Sequence, residues 1–253
     1  MRITLIGAGN VATHLGKALQ QAGHEMVQVW SRTQHSAHVL AGMLHCDEAF
    51  SDEAVLAPSD CFIISVKDDV LESVARSFIT QHPQALWLHT AGSMPLTVLA
   101  DKGAQHIGVL YPMQTFSKQK AVDFKQIPLF IESPTSIDVL QHLADSVSSK
   151  VYILDSEGRK HLHLAAVFAC NFVNHCYALS AKVLDEVGVP FDVMLPLIDE
   201  AADKVHHLTP LDAQTGPAIR GDMLVMNRHA DLLKDERMRK IYRLLSESIA
   251  KTK

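Results

Sequence analysis

The chain has 253 residues, of which 47% are hydrophobic and 20% charged, as in a soluble globular protein with one large or two modest domains. Its net charge of −5, without a cluster of Lys and Arg, argues against a nucleic-acid partner. No apolar run approaches the roughly 20 residues that span a bilayer, and glycines interrupt the N-terminal apolar run too early for a signal peptide. We therefore expect a cytoplasmic protein without a membrane partner.

Neither the cysteines nor the histidines have the spacing of a metal site. The four cysteines, at positions 46, 61, 170 and 176, include no Cys-x-x-Cys pair and are predicted to be buried free thiols. The 15 histidines are scattered and include no His-Glu-x-x-His motif. The sequence therefore predicts no metal cofactor.

The N-terminal segment combines a strand, a glycine turn and a helix. Residues 3–6 form an apolar run that stops at Gly7, and the turn has the pattern Gly-x-Gly-x-x-Ala. Gly7 permits a sharp turn, and Gly9 lets a pyrophosphate approach the backbone amides at the helix N-terminus. This pattern predicts a dinucleotide site that includes Gly7, Gly9, Asn10 and Val11; an ordinary tight turn is the alternative.

Strand-like and helix-like segments then alternate up to residue 154. The predicted strands are 26–30, 61–66, 85–88, 107–110, 128–131 and 151–154. Helices are predicted at 33–43, at 95–101 and at 134–147, and residues 69–72 resemble a capping box that begins another helix. This alternation predicts a doubly wound, mostly parallel α/β sheet.

The pattern changes after residue 154. Residues 157–187 contain no proline and predict one long helix, and residues 193–208 predict a second. A loop at 212–221 precedes a charge-rich amphipathic helix at the C-terminus. We therefore place a nucleotide-binding domain at 1–154 and an all-α substrate and dimerisation domain at 155–253.

The end of the second predicted strand indicates the cofactor. NAD-binding sheets usually place an acidic residue there, whereas this chain has Ser31, Arg32 and Thr33. Two hydroxyls and a guanidinium would hold a 2′-phosphate, which favours NADP over NAD. Alternatively, Arg32 is a solvated charge and Thr33 a helix cap.

Several motifs together resemble the 6-phosphogluconate-dehydrogenase-like superfamily: the glycine turn, Ser-Arg-Thr at 31–33, Ile-Ser-Val-x-Asp-Asp at 64–69, and the helical C-terminal part. Four further motifs resemble one branch of it, the Rossmann-like proteins with a C-terminal domain of unknown function 2520, relatives of pyrroline-5-carboxylate reductase. These motifs are His-Thr-Ala-Gly-Ser at 89–93, Tyr-Pro-Met-Gln-Thr-Phe at 111–116, His-x-Ala-Ala-x-Phe-Ala at 163–169, and Thr-Gly-Pro-x-x-Arg-Gly-Asp at 215–222. The resemblance implies a Rossmann-type, NADP-dependent oxidoreductase that is usually dimeric, and it implies no substrate.

Ligands of open α/β sheets lie beyond the carboxyl ends of the strands. Residues 66–69, 89–93 and 111–114 occupy such ends, and we assign Val66, His89 and Ala91 to cofactor binding. For His89, a role as an ordinary surface-loop residue is an equal alternative.

The long predicted helix carries a polar stripe on an otherwise apolar circumference. At 100° per residue, its members fall within roughly 60° of one line; they are Lys160, His163, Asn171, Asn174 and His175. A helix with so much apolar surface should be buried, and its polar stripe should line the interdomain cleft. His163 is the candidate acid/base, Asn171 would polarise the substrate, Lys160 could do either, and Asn174 would contact the substrate. A buried hydrogen-bond network is the alternative.

The segment after the second long helix contains a possible anion site. Thr215, followed by Gly-Pro, suggests a helix start with free amides, and Arg220 could bind a substrate carboxylate through two hydrogen bonds. Alternatively, Arg220 pairs with Asp222 or contacts the second subunit of a dimer.

These observations predict an NADP-dependent oxidoreductase of small carboxylate-bearing imines or carbonyls. One alternative is a non-catalytic NADP sensor that regulates a partner through its helical domain. Another is an isomerase or dehydratase that uses the nicotinamide transiently. Because one nucleotide domain cannot cover all the apolar helix faces, we also expect a homodimer.

Overall fold

The computed structural model describes residues 1–46, 48–51 and 55–252. The chain divides into two compact units, Met1–Cys170 and Asn171–Lys253. The predicted domain boundary at residue 154 coincides with the end of the last strand. The compact units divide later, because the first half of the long helix belongs with the sheet.

The first unit is built on a sheet that has eight strands among the described residues. They are β1 Arg2–Ile6, β2 Glu25–Trp30, β3 Glu48–Phe50, β4 Cys61–Ile64, β5 Leu86–His89, β6 His106–Pro112, β7 Leu129–Glu132 and β8 Val151–Ile153. The strand order is β3-β2-β1-β4-β5-β6-β7-β8, and only β6 and β7 pair antiparallel. This confirms the doubly wound, mostly parallel sheet. The three-residue β3 is too short to leave a sequence pattern.

Five helices of the first unit are α1 Asn10–Gln21, α2 Gln34–Met43, α3 Asp68–Phe78, α4 Ile137–Val147 and α5 Ser156–Ala166. Successive strand side chains point to opposite faces, so Leu5 and Ile63 join the core beneath α1, α2 and α4. Ile6 and Phe62 join a second core beneath α3. Both faces of the sheet are therefore covered, which explains the continuous apolar strands.

Of two local predictions in this unit, the capping box is wrong and the short helix at 95–101 is confirmed only in part. Helix α3 begins at Asp68. Neither the side chain of Asp68 nor that of Lys67, the residue before it, caps the helix. Residues 69–72 therefore do not form a capping box. Both Asp68 and Asp69 lie in the first turn, where their negative charges interact favourably with the positive end of the helix dipole. In the segment predicted as a helix at 95–101, only Leu96–Leu99 is helical, as a short 3₁₀ turn.

The second unit is helical, as predicted. Its helices are α6 Val173–Asp185, α7 Leu195–His207, α8 Pro217–Arg220, α9 Met223–Leu232 and α10 Glu236–Ala250, with a 3₁₀ turn at Phe191–Met194. The predicted long helix is confirmed as Ser156–Asp185, with a π-helical segment at Val167–Phe172 that joins α5 to α6.

The prediction that this long helix is buried is wrong for the single chain. Arg159 is its one buried residue, and α7 has none. By length and composition the helix could also cross a membrane, so the expectation that no segment is long and apolar enough is not met. Histidines and asparagines interrupt its apolar runs, but the mean hydropathy over an 18-residue window still reaches 1.3. Burial of the cysteines is likewise only partial, because Cys46 and Cys61 are buried but Cys176 is exposed.

Candidate functional site

The glycine turn has the geometry that a dinucleotide site needs. Gly7 has a φ of +119°, and a Cβ there would lie 2.1 Å from the carbonyl oxygen of Ser65. A Cβ on Gly9 would meet only open space. Gly9 precedes the first turn of α1, and no side chain caps that helix. Its first amides can therefore donate to an anion, with the helix dipole adding to the attraction.

A cavity of about 780 Å³ extends from this turn along the carboxyl ends of the central strands. Its lining includes most of the predicted cofactor residues: Gly7, Gly9, Asn10, Val11, Ser31, Arg32, Thr33, Val66 and Ala91. It also includes His163 of α5, together with Tyr111 and Gly92, which the sequence predicts at the ends of strands without an individual role. One pocket within the first unit thus joins the glycine turn to an ionisable pair.

At one part of this pocket lie the three residues predicted to select NADP. Ser31 is buried, whereas Arg32 is exposed and, within the described ranges, forms no ion pair. The Thr33 hydroxyl donates to the Ser36 hydroxyl at 2.7 Å and accepts from the Ser36 amide at 3.4 Å. Thr33 therefore caps α2, as the alternative interpretation proposed. None of these three residues is acidic, so no carboxylate at positions 31–33 would repel a 2′-phosphate; the acidic residues of the cavity lining, Asp68 and Asp69, belong to the first turn of α3.

At another part of the pocket, Tyr111 and His163 are in direct contact. The Tyr111 hydroxyl and the His163 Nδ1 atom are 3.1 Å apart and share a hydrogen bond. Their rings meet edge to face, with centroids 6.0 Å apart. A Cβ on Gly92 would lie 2.7 Å from His163 Nδ1 and 2.8 Å from Tyr111 Cζ. The loop after β5 therefore needs a glycine at this position for space.

Arg159 anchors the beginning of α5 on the sheet. Its guanidinium donates to Glu132 at 2.5 Å and to the carbonyl oxygen of Met94 at 2.7 Å, and its side chain is fully buried. His163 lies one helical turn later on the same side of the helix and is thereby held toward Tyr111. Burial raises the pKa of the Tyr111 phenol, and the positive charge of Arg159 acts in the opposite direction.

His89 is predicted to contact the cofactor, but its side chain lies in the interior of the first unit. It is fully buried and is not among the residues that line the pocket. Its Nδ1 atom accepts a hydrogen bond from the Ala91 amide at 3.2 Å, so it orients a residue that does line the pocket. Burial, aided by the charge of Arg159, lowers the pKa of His89 to about 3, and the ring is neutral near pH 7.

Of the other residues of the polar stripe, Lys160 belongs to the same unit as the pocket but does not line it. The Lys160 ammonium lies 2.6 Å from Glu157 in an exposed ion pair and is not part of the lining. Asn171 and Asn174 belong to the second unit and are exposed. The predicted alignment assumed α-helical spacing throughout, whereas the π segment at Val167–Phe172 changes the angle between His163 and the asparagines.

The segment at 215–222 also belongs to the second unit. Thr215 and Arg220 are exposed, and the helix that begins at Pro217 has only four residues. Within the described part of the chain, Arg220 and Asp222 form no ion pair; the Asp222 carboxylate instead caps α9 by accepting from the Val225 amide at 3.1 Å. No group of three or more His, Cys, Asp or Glu side chains suited to a metal occurs among the described residues.

Family models match two parts of the chain. Residues 2–88 match the model described as NADP oxidoreductase, coenzyme F420-dependent, and residues 127–249 match the domain of unknown function 2520. No curated protein matches the sequence. A solved protein from Bacteroides fragilis, assigned as an NADP oxidoreductase, is 50% identical over 99% of this chain and 98% of its own, with a TM-score of 0.93.

Two more distant structures have a similar fold. The 1-pyrroline-5-carboxylate reductase of Streptococcus pyogenes is 17% identical, with coverage of 99% of this chain and 98% of its own and a TM-score of 0.67. The pyrroline carboxylate reductase of Plasmodium falciparum, solved with NADP bound, is 10% identical, with coverage of 99% and 98% and a TM-score of 0.61. At these identities the likeness supports the fold alone.

Proposed function

Because the chain belongs to the family of NADP oxidoreductases with a C-terminal domain of unknown function 2520, we propose that it transfers a hydride between NADP(H) and a small imine or carbonyl compound that bears a carboxylate. NADP is the cofactor of this family, in agreement with the sequence prediction. The observation that carries the proposal is the continuous pocket between the glycine turn and the pair formed by Tyr111 and His163.

The residues of this pocket fit NADP(H). The open space at Gly9 and the uncapped amides of α1 suit a diphosphate. Ser31, Arg32 and Thr33 offer two hydroxyls and an exposed guanidinium to a 2′-phosphate. Val66 and Ala91 line the same cavity with small apolar side chains, which a bound nucleoside could contact.

When bound, NADPH supplies the hydride; the chain contributes binding, orientation and a proton. The new C–H bond leaves an electron pair on the substrate nitrogen or oxygen, and this atom must then be protonated. His163 is the proposed source of that proton, because an imidazole exchanges protons near neutral pH. Roles for Lys160 and Asn171 in catalysis, and for Asn174, Thr215 and Arg220 in binding the substrate carboxylate, stay proposals that rest on their chemistry.

The proposal is tested by following NADPH absorbance while a panel of imino and keto acids is offered, with 1-pyrroline-5-carboxylate among them. Oxidation of NADPH that depends on both protein and acceptor would support it. NADPH binding without oxidation by any acceptor would favour the alternative, a non-catalytic NADP sensor. Release of a changed substrate without net NADPH oxidation would favour an isomerase or dehydratase.

We predict that Arg32→Ala weakens NADPH binding by about ten- to a hundredfold, because one charge-assisted hydrogen bond contributes about 1.5–3 kcal/mol. NADH binding should stay nearly unchanged, since NADH lacks the 2′-phosphate. Titration calorimetry of both cofactors measures the difference, and Arg76→Ala, which removes an exposed arginine of α3, is the control. Equal affinities of the unmodified protein for NADPH and NADH would contradict the assignment.

For the assembly and its location, we propose a cytoplasmic homodimer without nucleic-acid or membrane partners. Support comes from the exposed apolar side chains of the long helix and α7, among them Phe168, Leu195 and Leu197. A second copy of the chain, covering these faces around a two-fold axis, is the commonest arrangement for such surfaces.

A further inference from the structure

We propose that Tyr111 is the catalytic proton donor and that His163 acts through it, with Gly92 providing the space in which the two side chains meet. The inference rests on the proposed function, since a proton is needed only if the pocket reduces a C=N or C=O bond. The inference differs from the proposed function in the group that donates a proton to the substrate: here it is the Tyr111 phenol rather than the His163 imidazole.

Tyr111 combines burial with access to the pocket. It lies at the carboxyl end of β6, its residue is 9% exposed, and its side chain forms part of the lining. Phe130 of the neighbouring strand lies beside the ring, at a centroid distance of 6.5 Å, and restricts it. A phenol held in this way has few conformations to lose when a reaction begins, as a positioned acid requires.

The contact between Tyr111 and His163 depends on Gly92. The φ of Gly92 is outside the left-handed region, so the backbone conformation itself does not require a glycine. What requires it is space, because an added Cβ would contact His163 Nδ1 and the Tyr111 ring at 2.7–2.8 Å. Both contacts are with ring atoms far along their side chains, and Phe130 beside Tyr111 limits how far that ring can move, so we expect alanine at position 92 to change the distance between the two groups. Gly92 therefore leaves open the space in which Tyr111 and His163 meet.

The charged and titratable groups near Tyr111 favour a phenol that gives up its proton briefly. From α5 come His163 and Arg159, and the Arg159 charge favours the phenolate form. Glu132 of β7 is paired with Arg159, and His89 of β5 is neutral. Burial keeps the phenol protonated at rest, and the cation lowers the free energy of the transient phenolate.

The proton transfer balances as follows. The O–H bond of Tyr111 breaks as an N–H or O–H bond forms on the substrate atom that received the electron pair. The phenolate then takes the proton on Nδ1 of a protonated His163, and the imidazole regains a proton from solvent. One proton from water and one hydride are thus consumed for each substrate reduced.

A ¹⁹F NMR titration tests, without any substrate, whether Tyr111 lies beside the nicotinamide ring of the bound cofactor. Biosynthetic 3-fluorotyrosine gives a signal for each of the four tyrosines and brings phenol ionisation into an accessible pH range. Tyr111→Phe identifies the Tyr111 signal by its loss. NADP⁺ and NADPH carry the same phosphates, but only NADP⁺ has a positively charged nicotinamide ring. If that ring lies beside Tyr111, NADP⁺ should lower the titration midpoint by about 1–3 pH units relative to NADPH.

The signal of Tyr152, a half-exposed tyrosine on β8, is the control and should titrate identically with both cofactors. An identical Tyr111 midpoint with NADP⁺ and NADPH, both bound, would overturn this inference and leave the proposed function standing. Absence of NADP(H) binding would overturn both. Where the panel supplies a substrate, Tyr111→Phe should lower turnover by about 10²–10⁴ with unchanged NADPH affinity; undiminished turnover would also overturn the inference.

Gly92→Ala provides a second, independent test, because it leaves both side chains in place. We expect the Tyr111 midpoint to shift and the difference between NADP⁺ and NADPH to shrink, as the contact with His163 is lost. Gly42→Ala is the matched control, since a Cβ at Gly42 of α2 meets only open space. A Gly92→Ala protein with the unmodified titration would show that the contact has no part in positioning Tyr111.

Discussion

Replacing His163 by glutamine is expected to lower turnover by about 10²–10⁴, the usual contribution of a positioned acid or base. Glutamine keeps much of the polarity and volume of the imidazole but cannot hold a transferable proton at neutral pH. The side chain is only partly buried, so the melting temperature should change little. Single-turnover oxidation of NADPH with a substrate from the panel, together with thermal unfolding, measures both effects.

A pair of amide variants separates proton transfer from simple hydrogen bonding. In His163→Asn the amide can occupy the place of Nδ1, the atom that contacts Tyr111, whereas in His163→Gln it reaches toward Nε2. If His163 acts by proton transfer, both variants should be equally slow. If it only holds the Tyr111 hydroxyl, asparagine should restore much of the rate.

His161→Gln is the control for these variants. His161 is an exposed residue of the same helix, and its Nδ1 atom interacts with the carbonyl oxygen of Glu157 at 2.8 Å. Its replacement should leave turnover and stability unchanged. A large fall in the melting temperature of His163→Gln, with full activity in the folded protein, would instead show that His163 belongs to a structural network.

The second large effect that we expect is the absence of a stable folded monomer. The exposed apolar side chains of the long helix and α7 include Leu164, Phe168, Phe172, Val173, Val183, Leu195, Leu197 and Val205. None of the residues of α6 or α7 is buried. Exposed apolar patches larger than a few hundred Å² are rare on monomers. A two-fold partner should therefore cover an interface above about 2,000 Å², as in obligate dimers.

Sedimentation equilibrium at low micromolar concentration without detergent measures the assembly. A monodisperse species near 27.9 kDa, the mass of one chain, would show that the monomer is stable with these apolar faces exposed to water, and it would contradict the dimer. Leu197→Asp in α7 should weaken the dimer and lower the melting temperature, whereas Val55→Asp, at an exposed valine of the first unit, should do neither. Because the long helix is also long and apolar enough to cross a membrane, partition into lipid vesicles in preference to self-association would contradict the dimer.

Features that depend on near neighbours in the chain were predictable from the sequence. The apolar run at 61–66 predicts a strand covered on both faces, and the structure has β4 at Cys61–Ile64 between two cores. Gly7 predicts a sharp turn, and its φ of +119° confirms it. The residues after β2 indicate NADP because they include an arginine and two hydroxyls and no acidic residue. Each of these signals lies within a few residues, so sterics and periodicity suffice.

The direction of β7 is a feature that the local sequence pattern could not predict. An apolar run of four residues is compatible with a parallel or an antiparallel neighbour. Between β6 and β7 the structure has only the short 3₁₀ turn Phe124–Gln126, and an antiparallel pair needs no crossover helix. The strand was therefore predictable, but its orientation was decided by how the connection packs.

What only the tertiary structure decided is the chemistry of the pocket. Tyr111 and His163 are 52 positions apart in the chain, yet the hydroxyl of one lies 3.1 Å from Nδ1 of the other, and Gly92, in a third segment, leaves the space that a Cβ would take from them. The π segment Val167–Phe172 likewise departs from the regular α-helical spacing on which the predicted stripe depends. Such contacts depend on how elements pack rather than on the residues beside them. The sequence alone therefore determined the fold class and the cofactor, and packing determined which side chains can exchange a proton.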